Sequence, residues 1–173
     1  MTNHNYSDLN HKTAIKEVLK ERIFNAPRAL VFNAWTDPKH MANWWGPKDF
    51  TNPVCELDAR PGGAIRIVMQ APDGFEIPVK GVFDEVTPPE RLAFTLTNFE
   101  DEQGVPQLEV YTIVTFSEQG AQTKLNLRAL VIKAHPTVEA ALAGMDDGWN
   151  ESLDLLEQEI NAALRGGDDE AST

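Results

Sequence analysis

Along the C-terminal part of the chain, apolar residues recur at alternating steps of three and four: Val138, Leu142, Met145, Trp149, Leu153, Leu156, Ile160 and Leu164. That spacing draws one stripe along an α-helix, while Asp146, Asp147, Glu151, Asp154, Glu157 and Glu159 fill the rest of its surface. Pro136 precedes the pattern, Thr137 can cap its first turn and Gly166-Gly167 follow it, which predicts a single helix from Thr137 to about Leu164. It would run roughly 40 Å, about the width of a small domain. An apolar stripe of that length requires a large apolar partner.

Strands supply it. From Asn52 to Ile132 the texture changes to short runs with apolar–polar alternation: 53–59, AIRIVMQ (64–70), FEIPVKGVFDEV (75–86), RLAFTLTNF (91–99), VYTIVTF (110–116) and KLNLRALVI (124–132). In AIRIVMQ, Ile65, Ile67 and Met69 share a side. Pro78 marks an edge or a bulge. The connectors are Arg60-Pro61-Gly62-Gly63, Ala71-Pro72-Asp73-Gly74, Thr87-Pro88-Pro89-Glu90, the polar DEQGVPQ and Glu118-Gln119-Gly120. Connectors this short imply an antiparallel meander.

Ahead of the strands, TAIKEVLKERIFN (13–25) satisfies neither the helical nor the strand period. We read it as an edge strand, because Asn25-Ala26-Pro27 stops it and a helix follows. In PRALVFNAWT, Pro27 suits a first helical turn, and Leu30, Val31, Ala34 and Trp35 fall on one side. Asp37-Pro38 then places a capping side chain and a pre-set φ at the head of a second short helix, which closes at Gly46-Pro47. The order is strand, two short helices, about six or seven antiparallel strands in all, long helix. This is an α+β arrangement, with the sheet curved around the last helix and a cavity left between them. Residues 13–165 form the domain, and the polar segments 1–12 and 166–173 are expected to be disordered.

Charge and composition narrow the partners. A net charge of −12 without clustered Lys or Arg argues against nucleic acid and anionic membranes. No apolar run approaches the roughly 20 residues that span a bilayer. The first residues have neither a basic start nor an apolar stretch, and the single Cys55 forms no internal disulfide, so a cytoplasmic location is expected. His4, His11, His40 and His135 are scattered, none three or four from another His or Cys, so neither a metal nor another cofactor is expected. No phosphate-cradling loop, nucleophile elbow or Cys/His pair occurs.

Trp35, Trp44, Trp45 and Trp149 are the most suggestive group. They would either line a cavity and stack on a flat ligand or pack the core between the short helices and the long one. Trp44 and Trp45 are helix neighbours about 100° apart, so only one can face a cavity. Gly144 and Gly148 weaken the long helix by about 1 kcal/mol each, for close backbone approach or for ligand room. Asp146, Asp147 and Glu151 read as a solvated acidic face rather than paired acid–base groups. Arg60 and Arg91 read as turn-edge residues. One inward polar side chain among Arg66, Glu109, Tyr111 and Arg128 would orient a ligand.

Several stretches in register resemble one known family. They are Arg22-Ile23-Phe24-Asn25-Ala26-Pro27, Val31-Phe32, Ala34-Trp35-Thr36-Asp37-Pro38, Trp44-Trp45-Gly46-Pro47, Arg60-Pro61-Gly62-Gly63, Gly81, Pro88-Pro89-Glu90-Arg91-Leu92 and Gly148-Trp149. The chain resembles the SRPBCC or START-like superfamily over residues 14 to about 164, and within it the family named after the activator of the heat-shock chaperone ATPase. The resemblance implies a helix-grip fold and binding of a hydrophobic or aromatic small molecule, lipid-like or polyketide-like, without catalysis. The expected ligand-cavity residues are Trp35, Trp45, Met69, Phe83, Phe94, Tyr111, Leu127, Met145 and Trp149. Other branches imply two alternatives. One is a cyclase- or hydratase-like enzyme, favoured by an inward carboxylate or His; the other is a co-chaperone-like interaction module, favoured by an apolar patch on the outer sheet face. Much of the co-chaperone's ATPase stimulation belongs to a separate N-terminal domain, so little stimulation is expected here. Homodimerisation stays open.

Overall fold

A computed structural model describes the backbone of residues 14–171 and the side chains of residues 14–166. The N-terminal segment 1–12 lies outside the described residues. Seven strands form one antiparallel sheet: β1 (Lys16–Phe24), β2 (Thr51–Leu57), β3 (Ala64–Gln70), β4 (Glu76–Thr87), β5 (Arg91–Glu100), β6 (Pro106–Gln119) and β7 (Gln122–Ala134), in the order β1-β7-β6-β5-β4-β3-β2. From β2 to β7 each strand pairs with its sequence neighbour, as the short connectors require. Register shifts at Thr51/Val54, Phe83/Glu85 and Glu109/Val110 bend their strands. Between β1 and β2 lie α1 (Arg28–Thr36) and α2 (Pro38–Trp44). Asp37 caps α2 by accepting the Lys39 N–H at 2.9 Å, whereas Pro27 sits one residue before α1 as an N-cap without a side-chain bond.

The C-terminal helix differs from the sequence reading in its bounds and continuity. A 3₁₀ turn (Pro136–Val138) leads into α3 (Glu139–Ala143), and α4 runs from Met145 to Ala171. His135, not Thr137, caps the turn by accepting the Thr137 N–H. Gly144 interrupts the helix at φ −88°, ψ −2°, its N–H still bonded to Ala140 O at 3.1 Å, and close to it a carbonyl of α3 takes a bond from outside the helix. Lys16 Nζ donates to this carbonyl, Leu142 O, at 2.6 Å. At the far end α4 passes through Gly166-Gly167, because glycine weakens a helix without the steric stop that proline imposes.

One sheet face packs against the helices. Leu153, Leu156 and Ile160 of α4 are buried against Val31 and Trp35 of α1, Trp44 of α2 and inward residues such as Val114, Phe116, Leu125 and Leu127. The stripe read from the sequence therefore divides. Leu153, Leu156 and Ile160 seal the core and Val138 is buried at the other end, while Leu142, Met145 and Trp149 between them are only half-buried.

β1 explains its own ambiguous period. Lys20 pairs with Asp146 at 2.9 Å, and Arg22 with Asp154 at 2.7 Å and Asn150 O at 3.3 Å. Their stems lie on the face shared with Val18 and Phe24 and reach the acidic flank of α4, while Leu19 and Ile23 point outward. The edge strand thus carries charge on its inner face because it meets the helix's polar flank.

Candidate functional site

Where the half-buried part of α4 crosses the sheet, a cavity of about 340 Å³ remains. Its floor is Met69 of β3, Ile77 of β4, Leu96 and Phe99 of β5, and Val110 and Thr112 of β6. Ala141, Gly144, Met145, Gly148 and Trp149 make the roof, and Trp45, Gly46, Pro47 and Phe50 close one side. The volume falls in the low part of the roughly 300–1,000 Å³ typical of small-molecule sites.

The two glycines create room. A Cβ built at Gly148 would meet nothing within 4 Å, and one at Gly144 only Ala140 O at 3.6 Å. Neither position is a close backbone approach; both are cavity surface.

Ser152 fixes the rim. Its Oγ donates to Trp44 O at 3.1 Å and accepts the Gly46 N–H at 3.1 Å, tying the segment after α2 to α4. The Lys48 N–H adds a bond to Glu151 Oε2 at 2.9 Å. Ser152→Ala leaves two buried backbone groups unpaired, so we expect a loss of about 1–3 kcal/mol. A thermal melt unchanged within a degree would contradict this.

Of the cavity residues expected from the sequence, Trp45, Met69, Met145 and Trp149 line this space. Trp35, Phe83 and Phe94 lie behind Trp45, around a gap of about 10 Å³, too small for more than one water. Trp35 is fully buried, its ring 4.6 Å from Trp44 edge-on and 6.2 Å from Trp149 in a stack, with its indole N–H unpaired. For Trp35 the core-packing alternative describes its place. Leu127 is likewise sealed in the core. Tyr111 is on the opposite sheet face, buried with Ala93 and Leu130, because Val110, Thr112 and Val114 take the inward positions of β6.

No inward orienting residue comes from Arg66, Glu109, Tyr111 or Arg128. Arg66 pairs with Glu56 at 3.5 Å and Arg128 with Glu17 at 2.9 Å, both on the outer face. Arg91 pairs with Glu85 at 2.6 Å and Arg60 with Asp58 at 2.8 Å. On that face Asp84 accepts from Thr95 Oγ1 at 2.6 Å; burial, reinforced by Glu109, raises its pKa against that bond. Burial pushes the Cys55 thiol up to about 11, with Glu56 adding to it, so it is protonated at neutral pH and a poor nucleophile. Among the described residues no His, Cys, Asp and Glu group could hold a metal.

Several cavity residues escaped the sequence, among them Phe50, Ile77, Ser152, Phe99 and Thr112, and the last two show why. Phe99 should face outward by alternation, since Leu92, Phe94 and Leu96 point to the core. Instead it adopts φ 56°, a left-handed conformation that costs a bulky residue about 1–2 kcal/mol and turns its ring into the cavity. Thr112 could have been found from its place between Val110 and Val114, had the face of β6 been known.

The fold and cavity together define a helix-grip domain with an apolar internal site. Residues 25–161 match the family model described as Activator of Hsp90 ATPase homolog 1-like protein, and the chain belongs to that family. Among solved structures, a protein from Nitrosomonas europaea is 23% identical with TM-score 0.74, covering 91% of this chain and 99% of its own. A protein from Arthrobacter aurescens is 21% identical with TM-score 0.75, covering 90% of each chain. An AHSA1 protein from Silicibacter pomeroyi is 24% identical with TM-score 0.71, covering 86% of this chain and 99% of its own. These likenesses concern the fold. A search of curated proteins finds no match. No helix among the described residues is long and apolar enough to cross a membrane.

Proposed function

We propose that this domain binds a hydrophobic, aromatic small molecule between its sheet and α4 and performs no chemistry on it. The observation that carries this reading is the lining. Among the described residues around the cavity there is no carboxylate, imidazole, amine or guanidinium, while Trp45, Phe50, Phe99 and Trp149 offer ring faces and edges. A bound molecule there meets dispersion and hydrophobic contact but no side chain placed to move a proton. The volume is more than twice the roughly 150 Å³ of an apolar cavity that admits benzene, so a two-ring molecule is a suitable size.

The interaction-module alternative has less behind it. Ile15, Leu19 and Ile23 are exposed on the outer face of β1, but Glu17 and Glu21 alternate with them and pair with Arg128 and Lys124. The apolar surface is interrupted rather than continuous.

Titration with 2-methylnaphthalene, followed by the fluorescence of Trp45 and Trp149, tests the reading. We expect saturable 1:1 binding with a Kd on the order of 10 µM. Absence of saturation up to the probe's solubility limit would remove the binding proposal.

A further inference from the structure

We propose that the cavity selects an uncharged apolar molecule carrying one oxygen function, seated with that oxygen on the hydroxyl of Thr112. This rests on the binding reading above and narrows its ligand class. Among the described residues around the cavity two side chains carry a hydroxyl, Thr112 and Ser152. That of Ser152 is already engaged on both sides, by the Trp44 carbonyl and the Gly46 N–H. Thr112 is 1% exposed, and no hydrogen bond among the described residues reaches its hydroxyl.

A hydroxyl held in an apolar interior without a partner is unfavourable, and such groups are normally satisfied by protein, water or ligand. Valine fills nearly the same volume, and Val110 and Val114 occupy the equivalent inward positions on either side. The hydroxyl adds nothing to packing that valine would not. Its place on the cavity floor is suited to one hydrogen bond with a ligand, as donor to a carbonyl or as acceptor from a hydroxyl.

The same lining excludes charge. With no cationic side chain among the described residues around the cavity, a carboxylate or phosphate would lose its hydration without an ion-pair partner. An ammonium group would likewise meet no carboxylate. A phenol, an aromatic alcohol or a ketone fits both conditions.

Three probes of similar size separate the possibilities: 2-methylnaphthalene, 2-naphthol and 2-naphthoate, each titrated against the wild-type chain and Thr112→Val. The wild type is expected to bind 2-naphthol about tenfold more tightly than 2-methylnaphthalene, the worth of one good hydrogen bond. It should bind 2-naphthoate at least about tenfold more weakly than 2-naphthol. Thr112→Val should erase the preference for 2-naphthol over 2-methylnaphthalene. Equal affinity of the wild type for 2-naphthol and 2-methylnaphthalene would overturn the anchor while leaving the cavity reading intact. So would a preference that survives in Thr112→Val. Tightest binding by 2-naphthoate would overturn the exclusion of charge. Failure of all three probes to bind would overturn the binding reading itself, and the anchor with it.

Discussion

Gly148→Leu is expected to weaken 2-methylnaphthalene binding at least about tenfold while leaving the domain as stable as before or more so. At Gly148 an added Cβ meets no atom within 4 Å, and the residue is part of the cavity roof, so the new side chain grows into the space the probe needs. Two further effects favour the folded state. Leucine replaces glycine inside α4, worth about 1 kcal/mol in helix propensity, and its methyl groups are buried against Met145 and Trp149. The melting temperature should rise by about 2–4 °C for each kcal/mol gained. This combination, weaker binding in a firmer protein, separates ligand room from the alternative that the glycine serves packing. Unchanged probe affinity would show that the probe sits elsewhere, and a fall in melting temperature would show that the roof has no room for the side chain.

Gly63→Ala should be strongly damaging, costing upward of about 3 kcal/mol, while its neighbour Gly62→Ala costs about 1–2 kcal/mol. The two glycines face different obstacles. Gly62 has φ +83°, a conformation unfavourable to alanine, but nothing lies within 4 Å of its added Cβ. At Gly63 the Cβ would stand 1.8 Å from the backbone oxygen of Asp58 and 2.9 Å from that of Arg60. A backbone atom cannot swing aside as a flexible side chain would, so the turn between β2 and β3 must open. That turn also holds β4, since the Gly62 N–H donates to Phe83 O at 2.8 Å and the Phe83 N–H to Gly63 O at 2.9 Å. Opening it disturbs Phe83, which packs edge-on to Phe94 in the core behind Trp45. Denaturant titration of the two variants checks the contrast, and comparable losses would refute it.

Features governed by local chemistry were legible in the sequence. Asp37-Pro38 starts α2 by side-chain capping and a pre-set φ, both local effects, the turn residues separate the strands, and a three-four stripe such as Leu153, Leu156 and Ile160 forms one face. The bounds of β3 fall where the alternation of 64–70 put them. What escaped was decided across the molecule. Tyr111 and Thr112 are adjacent, and which faces inward depends on the register of β6 against its neighbours, shifted near Glu109. The size of tyrosine suggests the core, yet the outer face buries it too. Phe99 reverses its strand's alternation through a single φ, which no apolar–polar pattern encodes. Trp35 and Trp45 are alike in composition, but only their depth behind or beside the cavity assigns one to the core and the other to its wall. The charges on β1 looked like noise in a strand until α4 supplied their partners.

The break at Gly144 has a kinetic consequence. Beyond it, α4 is fastened to the core by three fully buried side chains, Leu153, Leu156 and Ile160. Before it, α3 buries no side chain fully and is held by the half-buried Ala141 and Leu142, by Val138 just ahead of it and by the Lys16 bond to Leu142 O. Segments with little buried apolar contact open at a small fraction of the free energy of global unfolding. Ala141 and Gly144 of the cavity roof belong to that lightly held segment, whereas Gly148 and Trp149 belong to the fastened one. For the guest proposed above, what reads as one helix would then act as two parts: exchange is expected to be governed on the α3 side and affinity on the α4 side, so substitutions on either side of Gly144 should change residence time and affinity separately.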